Sequence, residues 1–113
     1  MKKKDNSKYL LMVEFLAQLR LSTKYDMWRK DVLKQQRKSC QVCGSRQKVH
    51  VHHIVPLAKI YKEFVSRYNY NNPFELELLL DVAEDYEDFW DLDNGIVLCS
   101  WCHQLEHPDK NIF

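Results

Sequence analysis

The chain has 113 residues, 45% of them hydrophobic and 29% charged, with only two glycines and three prolines; this suits one globular domain with a modest core and excludes a low-complexity or disordered chain. The net charge is +1, but it is unevenly divided: residues 1–50 carry 13 Lys/Arg against 4 Asp/Glu, and residues 51–113 carry 4 against 12. The basic half is able to lie on phosphate and the acidic half is not, although two halves that merely neutralise each other would give the same count.

Met1 and three lysines precede an apolar run from Tyr9 to Val13 that Glu14 interrupts, and no small-residue cleavage site follows, so a secretory signal is not expected. No segment is long and apolar enough to span a bilayer. The expected protein is soluble and cytoplasmic, with no membrane partner. Leu11, Phe15 and Leu19 recur at helical spacing and predict a helix over 9–20. Ser22 or Thr23 can cap a second helix over about 23–38, whose apolar stripe is Tyr25, Trp28 and Val32. Lys24, Arg29, Lys30, Lys34, Arg37 and Lys38 occupy its other faces, either as a solvated surface or facing DNA.

Cys40-x-x-Cys43-Gly44 has the form of a zinc knuckle, with backbone amides able to point at thiolate sulfur. Arg46 and Lys48 follow, as plain surface charges or as phosphate contacts. Residues 49–55 read as a strand with Val49, Val51 and His53 on one face and His50, His52 and Ile54 on the other. Pro56 suits the first turn of a helix over 57–68, carried by Leu57, Ile60, Tyr61, Phe64, Val65 and Tyr68. Asn72-Pro73 can start another helix that buries Leu76, Leu79, Leu80 and Ala83. Its acidic residues, Glu75, Glu77, Glu84, Asp85, Glu87 and Asp88, form a solvated face rather than a carboxylate active site. Asn94-Gly95 marks a turn before a short strand, Ile96 to Leu98. Cys99-x-x-Cys102 is a second knuckle that begins a short helix, with His103 and His107 one turn apart and Pro108 ending it. Trp28 and Trp101 are expected in the core rather than as nucleotide-stacking platforms.

Paired Cys-x-x-Cys motifs in an intracellular protein read as zinc before disulfide. One zinc joined to Cys40, Cys43, Cys99 and Cys102 is closed, and therefore structural. It also forces the two histidine groups together, since His50, His52 and His53 follow the first knuckle and His103 and His107 follow the second. Two helix histidines with one from a facing strand can hold a divalent ion and leave positions open, as a catalytic metal requires. Adjacent His52 and His53 point to opposite faces, so one can be a ligand while the other stays free as a base.

Together, Trp28-Arg29-Lys30, the first knuckle, Val51-His52-His53-Ile54-Val55-Pro56 and the run from Asp93 through Cys99-x-x-Cys102-His103 resemble the HNH, or ββα-metal, nucleases, especially small phage and prophage members. The resemblance spans about residues 25–107. It implies an α+β fold: a treble-clef-like ββα-metal core over 39–107, a helical insertion at about 57–90 between the knuckles, and a basic helical N-terminal part over 1–38, all in one domain. It also implies His52 as a ligand of the catalytic metal, His53 as the general base, Asn94 as the middle asparagine that positions loop and base or sits near the metal, and His103 and His107 as further metal ligands. The implied activity is hydrolysis of DNA phosphodiester bonds, with a structural zinc and a catalytic Mg²⁺, Mn²⁺, Ni²⁺ or Zn²⁺. Arg29, Lys30, Arg46 and Lys48 are the candidate DNA contacts. The rival class is a catalytically silent zinc module binding DNA or protein, which would need the cysteines but not His-His together with Asn94.

Overall fold

Ser22 ends one helix and begins another. Its hydroxyl donates to the Leu19 carbonyl at 2.7 Å and accepts from the Tyr25 amide at 3.1 Å, so α1 (Ser7–Arg20) turns directly into α2 (Thr23–Gln35). A cap of this kind contributes about 1 kcal/mol. The computed structural model of the protein describes residues 7–68 and 76–106. After α2 come β1 (Val49–His53), α3 (Leu57–Tyr68), α4 (Leu76–Ala83), two 3-10 turns (Glu87–Phe89 and Leu92–Asn94), β2 (Gly95–Cys99) and α5 (Ser100–Glu106). The fold is α+β, with a ββα-metal-like hairpin and helix whose knuckles are separated by helical segments.

The sequence predicts α2 to about residue 38, but the helix stops at Gln35. The Lys38 amide donates to the Leu33 carbonyl at 2.7 Å and the Arg37 amide to Lys34 at 3.1 Å. This closing turn puts Arg37 at φ 57° and Lys38 at φ 51°, a left-handed position that glycine ordinarily takes. With arginine and lysine there, the sequence carries no stop signal.

Leu11, Phe15, Leu16 and Leu19 of α1 meet Leu57, Ile60, Tyr61 and Phe64 of α3, Leu79 and Ala83 of α4, and Tyr86 and Phe89 beyond it. The helical insertion therefore builds the main core together with α1. A second cluster, Trp28, Val32 and Val97, joins α2 to the hairpin, and Tyr25 and Trp90 pack against both clusters. Lys24 is used inside the fold: its ammonium donates to the Glu84 carbonyl and lies 5.3 Å from the centre of the Trp90 ring. Around it stand Glu84, Asp85, Glu87 and Asp88, part of the acidic face expected from the sequence, together with Asp91.

β1 and β2 pair antiparallel, with Val49 opposite Cys99 at one end and His53 opposite Gly95 at the other. The outer edge of β2 is closed by α2 and the first knuckle. The Gln36 amide donates to the Gly95 carbonyl at 2.9 Å and accepts from the Val97 amide at 2.8 Å, and the Gln41 amide donates to the Val97 carbonyl at 2.9 Å. An edge satisfied in this way offers no template for another strand. Gly95 begins β2 rather than forming a turn. A side chain there would meet Val32 and Trp28, so glycine is required by the close approach of α2. Trp101, expected in the core, is 68% exposed on α5.

A four-cysteine cluster and a two-sided histidine hairpin

The sulfurs of Cys40, Cys43, Cys99 and Cys102 all lie within 4.8 Å of one another. Cys43 and Cys99 Sγ are 3.6 Å apart, well beyond a disulfide bond. Gly44, at φ 78°, turns the first knuckle so that its amide donates to the Cys40 carbonyl at 2.8 Å. The Cys102 amide points at Cys99 Sγ, 3.4 Å away. Burial opposes ionisation of Cys40, but hydrogen bonds from the backbone of Cys43, Cys99 and Val42 and from the Cys102 thiol overcome it and bring Cys40 down to about 6. Cys102 is pushed up, first by burial and then by its cysteine neighbours. Cys40 ionises readily while its neighbour Cys102 resists, an opposition that a shared cation relieves. Four convergent sulfurs with amides aimed at them fit a structural zinc site.

The histidines divide between the two faces of the hairpin, as strand alternation demands. On one face the His52 ring stacks on His103 of α5, with centroids 4.3 Å apart and planes 11° off parallel. His50, exposed, lies edge-on to His52 at 6.3 Å. The expected third metal ligand, His107, lies outside the described residues. Two imidazoles from strand and helix suit a borderline divalent ion, although the four cysteines are the only group of three or more ligands gathered this closely among the described residues.

On the other face His53 is only 5% exposed. It stacks on Trp28 at 4.5 Å and 11°, with Tyr25 6.0 Å away. Its Nε2 is buried and makes no hydrogen bond. Burial, then the charge of Arg20 and then that of His52, lower the His53 pKa to about 4, so the ring is neutral at ordinary pH. Arg20, at the end of α1, was not singled out by the sequence; no spacing rule connects it with residue 53.

Asn94 sits where β1 ends. Its side chain accepts from the Val55 amide at 2.7 Å and donates to the Val55 carbonyl at 3.1 Å, and its own carbonyl accepts from the Ile54 amide at 2.9 Å. The side chain thus replaces the strand partner that Val55 would otherwise need, while the Asn94 main chain holds Ile54, and β1 stops at His53 rather than at 55. Of the basic residues, Arg29 and Lys30 are exposed but pair with Asp26 at 3.7 and 2.9 Å. Arg46 and Lys48 are exposed before β1, and the Lys48 carbonyl accepts the Ser100 amide at 3.1 Å, which places this loop at the start of α5. No described helix is long and apolar enough to cross a membrane.

A family model described as "HNH endonuclease" matches residues 40–105, which include both knuckles, His52, His53, Asn94 and His103 but neither α1 nor α2. Comparisons with curated proteins and with solved structures returned no match. The match covers more than half of the chain, and this chain belongs to the HNH endonuclease family.

Proposed function

We propose that the protein is a metal-dependent endonuclease that hydrolyses DNA phosphodiester bonds, with His53 as general base. The observation that carries this reading is the division of adjacent histidines: His52 faces His103 while His53 faces Trp28. One hairpin therefore presents a ligand pair and a separate, neutral imidazole beside it. A silent zinc module needs neither.

In this reading His52 and His103 hold the catalytic ion, with His107 as a third ligand. A bound divalent ion there, Mg²⁺, Mn²⁺, Ni²⁺ or Zn²⁺, supplies Lewis-acid stabilisation of charge on the phosphate and the leaving oxygen. His53, neutral because burial keeps it so, takes a proton from the attacking water. Its Nε2 is buried and has acceptor capacity to spare. Asn94 holds the backbone just after His53 and keeps the base at the strand end. Arg46 and Lys48, beside α5, are the preferred phosphate contacts. Arg29 and Lys30, partly neutralised by Asp26, are weaker ones.

The test is cleavage of supercoiled plasmid by the zinc-loaded protein with Mg²⁺ or Mn²⁺, beside an EDTA control and His53→Ala. Metal-dependent nicking or linearisation, reduced at least ~10²-fold in a folded His53→Ala variant, is expected. A folded, zinc-loaded wild type that fails to cut with every divalent ion supplied overturns the reading in favour of a binding module.

A further inference from the structure

The family match begins at residue 40, yet the ring against His53 belongs to α2. Trp28 is 3% exposed and lies nearly parallel to the His53 imidazole, with centroids 4.5 Å apart. Its indole N–H donates to the Asp91 carbonyl at 3.0 Å. The same carbonyl accepts the Asn94 amide at 3.1 Å, and the Asn94 side chain holds Val55, two residues after His53. His53 pairs in register with Gly95, whose missing side chain lets Trp28 Cζ2 come close. These contacts form a closed circuit: Trp28 to Asp91, Asp91 to Asn94, Asn94 to the strand end, and the strand's last residue back onto Trp28.

We infer that Trp28 is a positioning residue for the general base: its indole is the platform that fixes the plane of the His53 ring, and its N–H ties that platform to the Asn94 turn. The inference rests on the nuclease reading above. A flat stack holds a plane without locking an edge. A half-turn of the imidazole about its Cβ–Cγ bond returns it to the same plane with its edges exchanged, so the platform survives while a nitrogen turns outward. Any rotation about the Cα–Cβ bond, by contrast, breaks the stack. Trp28 therefore removes the motion that would misplace the base and permits the one that presents it. Misplacing a catalytic group by about 1 Å costs on the order of 10²-fold in rate.

The test uses the full-length, zinc-loaded chain and compares Trp28→Leu, which removes the platform, with Trp28→Phe, which keeps a ring but not the N–H. Trp28→Leu is expected to lower kcat by about 10- to 100-fold with little change in KM for DNA. Trp28→Phe should recover most of that loss. In a His53→Ala background, Trp28→Leu should lower the residual rate no further, because the tryptophan acts through the imidazole. Independently of turnover, the ring protons of His53 in the wild type should show an upfield NMR shift from the indole face, which moves in Trp28→Leu.

An equal loss from Trp28→Leu with and without His53 would overturn the inference and leave Trp28 as core packing, with the nuclease reading intact. So would a raised KM at unchanged kcat. Absence of the upfield shift would refute the stack itself, even if Trp28→Leu fails to fold. A wild type that shows the shift but cuts no DNA would overturn the nuclease reading, and the catalytic meaning of the platform with it.

Discussion

Gly95→Ala probes how closely α2 is seated on the hairpin. A Cβ on Gly95 lies 2.7 and 2.9 Å from the two methyl carbons of Val32 and 3.0 Å from Trp28 Cζ2. The backbone at Gly95 has φ −103°, which suits alanine, so the effect is steric. Val32 is fully buried and, being β-branched in a helix, has one favoured rotamer. Trp28 is held by His53 and by the Asp91 carbonyl. Neither neighbour is a flexible chain end, and α2 must move away. Overpacking of this kind costs about 1–3 kcal/mol, and we expect about 2 kcal/mol, or a fall in Tm of roughly 8 °C. Val32→Ala alone should cost about 2 kcal/mol by leaving a cavity. In Gly95→Ala the same change makes room, so the double variant should cost at least ~1 kcal/mol less than the two single losses combined. Urea unfolding of zinc-loaded protein, followed by tryptophan fluorescence, measures all four corners of the cycle. A Gly95→Ala protein within about 0.5 kcal/mol of wild type, or strictly additive losses, would refute the seating described here.

Arg37→Gly should stabilise the protein by about 1 kcal/mol in the same unfolding assay, because it relieves a left-handed arginine at the α2 terminus. Trp101→Ala should change stability by less than about 0.5 kcal/mol, since the ring packs mostly against solvent, whereas a buried tryptophan would cost about 3–5 kcal/mol; thermal melts separate the two. The His53 pKa of about 4 against an ordinary 6.5 makes stability depend on pH. Between those values the unfolded chain binds the proton that the folded chain refuses, so stability rises with pH across the window and is complete above about 6.5, a difference of roughly 3 kcal/mol. His53→Gln should remove that part of the slope, and comparing the two proteins at pH 7.5 and 4.5 cancels any loss of zinc. Stripping zinc with a strong chelator should unfold the hairpin and α5, because a structural zinc contributes on the order of 10 kcal/mol, comparable to the whole stability of a small domain; circular dichroism with released zinc measured alongside checks it.

Most of the fold was legible wherever one local signal dominates. α1, α3 and the buried side of α4 follow their apolar period, and His52 and His53 separate because strand alternation requires it. Legibility ends where a side chain takes over a backbone's role. The Gln36 side chain stands in for a strand beside β2, and the Asn94 side chain for one beside Val55; in sequence each is an ordinary amide. Arg37 closes a helix in a conformation its identity argues against. Asn94-Gly95 signalled a turn, but the glycine answers to Val32, 63 positions away. Trp28 and Trp101 are alike in composition terms, and only packing separates a ring at 3% exposure from one at 68%.

The hairpin is fixed at its two ends by different means, and this explains how the chain tolerates a long excursion inside its functional motif. At the Val49–Cys99 end the four sulfurs join the segment before β1 to the segment after β2. At the His53–Gly95 end the chain leaves into α3 and returns through the Leu92–Asn94 turn, and there three hydrogen bonds from Asn94 tie departure to return. Between those points the insertion packs its own core with α1 and touches α2 through Lys24, Tyr25 and Trp90. That excursion requires a support for the end of the hairpin away from the four cysteines. α2, which lies outside the family match, meets that demand through Trp28, Val32 and Gln36 and so supports the hairpin that carries His52 and His53.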